Sequence, residues 1–132
     1  MYCLDTDIII EFFKGNPKIV EGFSKIKKSR ISITVLTFYE FLKGAYTSPK
    51  QKADLHMLEL FLKNVELLNL SPSSCHKAAL IYNELKNKGK LLNDADLLIA
   101  SIAIINNKIL VTNNIKHFNR ISGLKLENWM GD

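Results

Sequence analysis

The run Asn93-Asp94-Ala95-Asp96-Leu97-Leu98-Ile99-Ala100-Ser101-Ile102-Ala103 limits the fold more than any other stretch of this chain. Beyond Asp96 it is apolar on nearly every side, the pattern of a helix buried by its surroundings. Two carboxylates stand at its mouth. Carboxylates are costly to place beside a core unless positive charge or hydrogen-bond donors meet them. The rest of the chain must cover this helix and answer its acids.

Around it, short apolar runs alternate with helical patterns. Tyr2 to Leu4 is an apolar run ending abruptly in Asp5, which predicts a buried strand with an acid at its C-terminal end. Thr6 or Asp7 can cap a helix over Ile8 to Lys14, closed by Gly15-Asn16-Pro17. Lys18 to Lys28 continues as an amphipathic helix with Ile19, Val20, Phe23 and Ile26 on one side. Arg30 to Ile33 reads as a second strand, and Thr34 caps a helix over Val35 to Tyr46 that Ser48-Pro49 breaks. A further amphipathic helix spans Lys50 to Lys63, and these two form an arm suited to pairing with a partner subunit. Val65 to Leu70 reads as a third strand, and Ser71-Pro72 opens a helix that runs to Asn87 and ends at Gly89. The buried helix, Asp94 to Asn107, leads into a fourth strand over Ile109 to Thr112. Asn113 to Phe118 is a loop or short helix, and Leu124 to Leu126 a last strand. Strands separated by helices predict a parallel sheet with helices on both faces. Such sheets bind ligands beyond the carboxyl ends of their strands, where Asp5 and Thr112 both fall.

A length of 132 residues predicts one domain over residues 1–132, burying roughly two-thirds of its unfolded surface. With 47% hydrophobic residues and three prolines, the composition excludes a disordered or fibrous chain. The formal net charge is +5 despite 13 acids. If several acids gather in one site, the remaining surface is more basic than the total, which suits a polyanionic partner. Cys3 and Cys75 make no disulfide framework and read as inert thiols of a reducing compartment. Met1 to Asp7 lacks a basic leader, and no apolar run reaches the roughly 20 residues of a membrane span. A cytoplasmic protein with no membrane association is expected.

Four acids stand out by position: Asp5 after the first strand, Glu40 on the helix after the second, and Asp94 with Asp96 at the start of the buried helix. Thr112-Asn113-Asn114 follows the fourth strand. Oxygen ligands at these places suit Mg²⁺ or Mn²⁺, which can activate water and offset charge on a phosphodiester. Each position also has a plainer role. With Asn93 as N-cap, Asp96 sits at the third helical position and can reach back to the cap. Asp94 fits a capping or supporting acid better than a direct ligand. Asp5 can be a strand-end cap, Glu40 a surface acid, Thr112 a strand end, and Asn113-Asn114 a turn. His56, His76 and His117 lack zinc spacing. No nucleophile triad, GxGxxG or Walker A pattern is present.

In this order, Leu4-Asp5-Thr6-Asp7, Glu40-Phe41-Leu42-Lys43-Gly44, Asp96-Leu97-Leu98-Ile99-Ala100-Ser101 and Leu110-Val111-Thr112-Asn113-Asn114 with Phe118 resemble the PIN-domain family, and within it the VapC-type toxins of toxin–antitoxin pairs. The likeness spans nearly the whole chain. It implies a three-layer α/β/α sandwich with a central parallel sheet, and a Mg²⁺- or Mn²⁺-dependent ribonuclease. Asp5, Glu40 and Asp96 would form the metal-holding acidic core. Asn114 would stand where relatives carry Asp or Asn, and Thr112 would be the hydroxyl residue near the site. A homodimer inhibited by a VapB-type antitoxin, whose C-terminal segment enters the groove, is implied too. Two departures stand out. His117 occupies a position that is often acidic, and Asp94 is an acid the family pattern does not use.

Other readings compete. Asp5-Thr6-Asp7 with Val111-Thr112-Asn113 also looks like the opening motifs of haloacid-dehalogenase-type phosphatases, with Asp5 as nucleophile and Asp7 as general acid. Only 20 residues follow Thr112, with Glu127 and Asp132 as their acids, and the helix bearing Asp96 is in the wrong order for that family. A PIN-type RNA-processing nuclease outside a toxin–antitoxin pair, or a non-catalytic RNA- or protein-binding module of the same fold, are the remaining alternatives. Lys43, Lys86, Lys88, Lys90 and Lys116 are candidates for phosphate contacts, each with a plain role as a solvated lysine.

Overall fold

A computed structural model describes residues 1–131, the side chain of Ser29 excepted; Asp132, one of the two acids after Thr112, lies outside them. Five short strands form one sheet: β1 (Tyr2–Leu4), β2 (Ile31–Thr34), β3 (Glu66–Leu68), β4 (Ile109–Val111) and β5 (Lys125–Glu127). Their order is β3-β2-β1-β4-β5 and every pair is parallel. The helices are α1 (Thr6–Phe13), α2 (Pro17–Ser24), α3 (Val35–Tyr46), α4 (Gln51–Leu62), α5 (Pro72–Asn87), α6 (Asp94–Ile105) and α7 (Ile115–Phe118).

Strand alternation divides the interior into two cores. Leu4 and Val111 point into one with Ile8, Ile9, Ile19, Ile31 and Ile33, backed by Phe12, Phe13, Phe23 and Phe61. Cys3 and Leu110 point into the other with Ile81, Leu85, Leu97, Ile99, Ile102 and Phe118. Thus α1, α2 and α4 cover one face and α5, α6 and α7 the other, the expected three-layer sandwich. Helix α3 serves both, with Leu36 packed against the second core and Phe38 and Phe41 against the first. The apolar run of α6 is explained by this placement: Leu97, Ile99, Ala100, Ser101, Ile102 and Ala103 are all buried.

The chain begins at the sheet's centre, builds outward through β2 and β3, then returns to lay β4 against the free side of β1. The strand order therefore reverses between β1 and β4, the place where open parallel sheets bind ligands. Pairing runs one residue past each strand end: Asp5 N donates to Val111 O at 2.9 Å and Thr112 N to Glu127 O at 3.1 Å.

Strands β2 to β5 and α4 shift by one or two residues at their ends from the sequence expectation, and three helix boundaries that differ have a visible cause. Helix α1 starts at Thr6, and its cap is Asp5 rather than Thr6 or Asp7. Asp5 is still extended (φ −71°, ψ 160°), and its carboxylate accepts from Thr6 N. Helix α2 stops at Ser24, because i→i+3 bonds (Lys25 N to Gly22 O, Ile26 N to Phe23 O) wind it down as Ile26 turns into the core. Helix α6 stops at Ile105, since Asn107 takes φ +53°, a left-handed conformation that ends helices and that Asn tolerates.

Candidate active site

The reversal point is built from backbone first. β1 delivers Asp5 at its C-terminal end, and because the strand breaks directly into α1, this residue is a helix cap as well. Asp5 is 4% exposed. Its Oδ1 accepts from Thr6 N at 2.9 Å and its Oδ2 from the Thr112 hydroxyl at 2.8 Å. Thr112, fully buried, accepts Asn114 N at 3.0 Å, so its proton is directed at Asp5. Burial, then the charge of Asp7, push the Asp5 carboxyl up to about 7 despite those donors.

Glu40 arrives from the other direction. Thr34 caps α3 by accepting Thr37 N at 3.1 Å, which sets the face on which Thr37 and Glu40 stand. The Thr6 hydroxyl donates to Glu40 Oε1 at 2.6 Å and lies 3.1 Å from the Thr37 hydroxyl. A three-residue tether, Glu40–Thr6–Thr37, thereby joins α3 to the start of α1.

Asp96 sits in the first turn of α6 under Asn93. Its N–H donates to Asn93 Oδ1 at 2.8 Å, and Asn93 Nδ2 donates back to its carboxylate at 3.2 Å. The capping role and a place in the site therefore coexist. Burial and the nearby Glu40 charge raise the Asp96 carboxyl above its usual range, against Asn93 and His117, which lower it. Asp94, by contrast, lines a hollow with Ala78, Ala79, Tyr82, Leu97 and Leu98 on the α5 side. It caps nothing and stands apart from the other acids.

Asp7 joins these acids, although the sequence offered it only as a helix cap or, in the phosphatase-like reading, as a general acid. Its Oδ2 accepts Asn113 N at 3.0 Å, tying α1 to the loop after β4. Its Oδ1 is buried with no partner. Burial, then the Asp96 charge, raise its carboxyl against the backbone N–H groups of Asn113 and Ile8, which lower it. Its sequence signal was its spacing two residues after Asp5, which a capping role explained equally well.

Asn114 caps α7 without a side-chain bond, and its amide is exposed in a shallow cleft with Asn113, Lys116, His117 and Asn128. The structure thus brings Asp5, Asp7, Asp96, Glu40 and Thr112 to one place, with Asn114 at its rim.

The donors are suited to a hard cation. They are carboxylate oxygens, and burial first, then the charge of neighbouring acids, raises three of the four above the usual carboxylate range, while Asp7 Oδ1 lacks the donor a buried oxygen requires. Among the described residues no three His, Cys, Asp or Glu side chains converge closely enough to cage an ion by themselves. Acids gathered at one end of the sheet without caging an ion suit a cation that keeps several waters, as Mg²⁺ does.

Comparison with known proteins identifies the family. The PIN domain profile matches residues 2–124. Ribonuclease VapC1 of Haemophilus influenzae is 34% identical over 131 residues, 98% of each chain. Ribonuclease VapC2 of Rickettsia felis is 35% identical over 131 residues, again 98% of each. Among solved structures, that of VapBC2 from Rickettsia felis bound to a DNA fragment from their promoter superposes with a TM-score of 0.90 at 35% identity, covering 97% of this chain and 98% of that one. This chain belongs to the PIN-domain family, among its VapC-type members.

Proposed function

We propose that this chain is the toxin of a VapBC-type pair: a ribonuclease, dependent on Mg²⁺ or Mn²⁺, that hydrolyses RNA phosphodiester bonds until a VapB-type antitoxin blocks it. The observation that carries this reading is the gathering of Asp5, Asp7, Glu40 and Asp96 at the reversal point of the sheet, in a chain whose relatives are named ribonucleases. When bound, the cation supplies positive charge to the phosphate and acidifies water at neutral pH. Asp5, Glu40 and Asp96, joined by Asp7, hold it directly or through water. The residues around them have defined tasks. Thr112 orients Asp5, Thr6 holds Glu40 by its hydroxyl, and Asn93 fixes the rotamer of Asp96. Asn114 offers its amide at the rim, where a substrate phosphate enters.

The homodimer and the antitoxin have surfaces to receive them. Tyr39 and Tyr46 on α3 are 59% and 61% exposed, and Leu80 on α5 is 61% exposed, more than isolated surface apolars require. An apolar cavity of about 410 Å³, walled by Phe12, Phe13, Phe23, Met57, Leu60 and Phe61, has the lining that an amphipathic antitoxin helix would enter. Among the described residues no helix is long and apolar enough to cross a membrane. The two free thiols fit a cytoplasmic site of action.

The test is cleavage of a mixed RNA pool by protein freed of antitoxin. Cutting that appears with Mg²⁺ or Mn²⁺ and vanishes with chelator is expected. A protein that cuts nothing with either ion defeats the enzyme reading.

A further inference from the structure

Beside the acidic groove lies a second feature to which the catalytic reading gives no role. An open cleft of about 360 Å³ is lined by Gly89, Lys90, Lys116, Asn119 and Arg120. Three of its five residues are cations and none is an acid. The ion pairs among the described residues, Lys25–Glu21 and Lys108–Glu66, lie elsewhere. The contrasting cleft around Lys18 and Lys25 carries Glu21 and Glu127 and is neutralised from within. Three uncompensated cations around one hollow repel one another, which a bound polyanion relieves.

The two sides of the cleft are tied together. Arg120 Nη1 donates to Lys90 O at 3.4 Å and Leu91 O at 3.2 Å, fastening the end of α7 to the loop between α5 and α6. That orients the guanidinium fork and leaves its other N–H groups free for a ligand. Gly89 makes the turn, with φ +66°, that brings Lys90 back over the end of α5.

Its position relates it to the catalytic groove. The loop that carries Lys90 runs into Asn93 and Asp96. The segment that carries Lys116 begins with Thr112 and Asn114, and Lys116 also lines the cleft holding Asn113, Asn114 and His117. Both strips of chain that bring groups to the site therefore bring cations to the hollow next to it.

We propose that Lys90, Lys116 and Arg120 form a phosphate-binding subsite that grips the RNA backbone beside the scissile bond, on the α7 side of the groove. This rests on the ribonuclease reading and adds to it a direction for the strand: from Asn114, over Lys116, toward Lys90 and Arg120. Lys43, whose ammonium sits 5.4 Å over the Tyr39 ring on α3, lies outside the subsite, as do Lys86 and Lys88.

The experiment measures binding of a short single-stranded RNA to Asp5→Asn protein, which holds RNA without cutting it, across a salt series. Adding Lys90→Gln and Lys116→Gln should weaken binding and flatten the line of log affinity against log salt by roughly 0.7 per lysine removed. Arg120→Lys, which retains charge but loses the fork, should weaken binding with little change in slope. Lys18→Gln, in the neutralised cleft, should change neither. Equal losses from Lys18→Gln and from the cleft lysines would overturn the subsite and leave a diffuse basic field. Unchanged RNA binding in the cleft variants with lost binding of an acidic peptide would overturn it in favour of a protein partner. If the Asp5→Asn protein itself does not bind RNA while remaining folded by circular dichroism, the ribonuclease reading fails as well, which separates the two failures.

Discussion

At the residue scale the site is governed by one carboxyl in conflict with its surroundings. Asp5 is a good helix cap and a poor buried charge. Its pKa, ordinarily 3.8, is pushed up to about 7, so the folded protein holds a proton that the unfolded chain has released between about pH 4 and pH 7. The unfolded state then binds fewer protons, and stability falls as pH rises through that window. The loss is a few kcal/mol, from a shift of about three units at 1.36 kcal/mol each. Asp5→Asn keeps a capping side chain and removes the charge. It should abolish cleavage and flatten the metal-free stability profile above pH 5 in urea unfolding; a retained slope would assign that conflict to other groups. Thr112→Val should cut activity and also destabilise by about 1–3 kcal/mol, because Asn114 N loses its acceptor. Thr112→Ser should restore both, as turnover and urea midpoints would show.

At the scale of elements, local signals were legible and long-range ones were not. Thr34, Ser71 and Asn93 announce helix starts because a cap bonds within three residues, and each accepts the bond expected of it. The apolar run of α6 announces burial because no face of it is polar. The Thr6–Glu40 and Asp7–Asn113 bonds join residues 34 and 106 positions apart, and no local pattern encodes such a distance. Asp7 therefore reads locally as a cap or a phosphatase-like general acid, while Asp94, an acid in the right stretch of sequence, lies on the α5 side of its helix. Glycines show the same contrast. A Cβ on Gly22 would stand 2.7 Å from the Trp129 ring, whereas one on Gly44 meets nothing within 4 Å. Gly22→Ala should destabilise by about 1–3 kcal/mol and disturb Trp129 fluorescence. Gly44→Ala should stabilise by up to about 1 kcal/mol, from helix propensity alone. Thermal melts of the two variants would distinguish them by sign.

At the scale of the whole molecule, the order β3-β2-β1-β4-β5 settles where chemistry can occur. Alternating apolar runs and helical patterns sufficed for the parallel sheet, since each βα unit is local. Which strand lies beside β1 on its second side depends on a return across the sheet after two more strands, and periodicity is silent on that. The sheet order also governs when the acidic site is completed during synthesis. The central strand leaves the ribosome first, but Asp5 gets its hydroxyl donor only from a residue 107 positions later. At roughly 5–20 residues per second of translation, the groove stays open for several seconds on an otherwise advanced nascent chain. Every truncated product that stops short of β4 has Asp5 without Thr112, and half of the sheet's ligand-binding corner missing. Completion of the acidic site is thus withheld until nearly the last strand is in place, because the donor to Asp5 arrives only with the residue that follows β4.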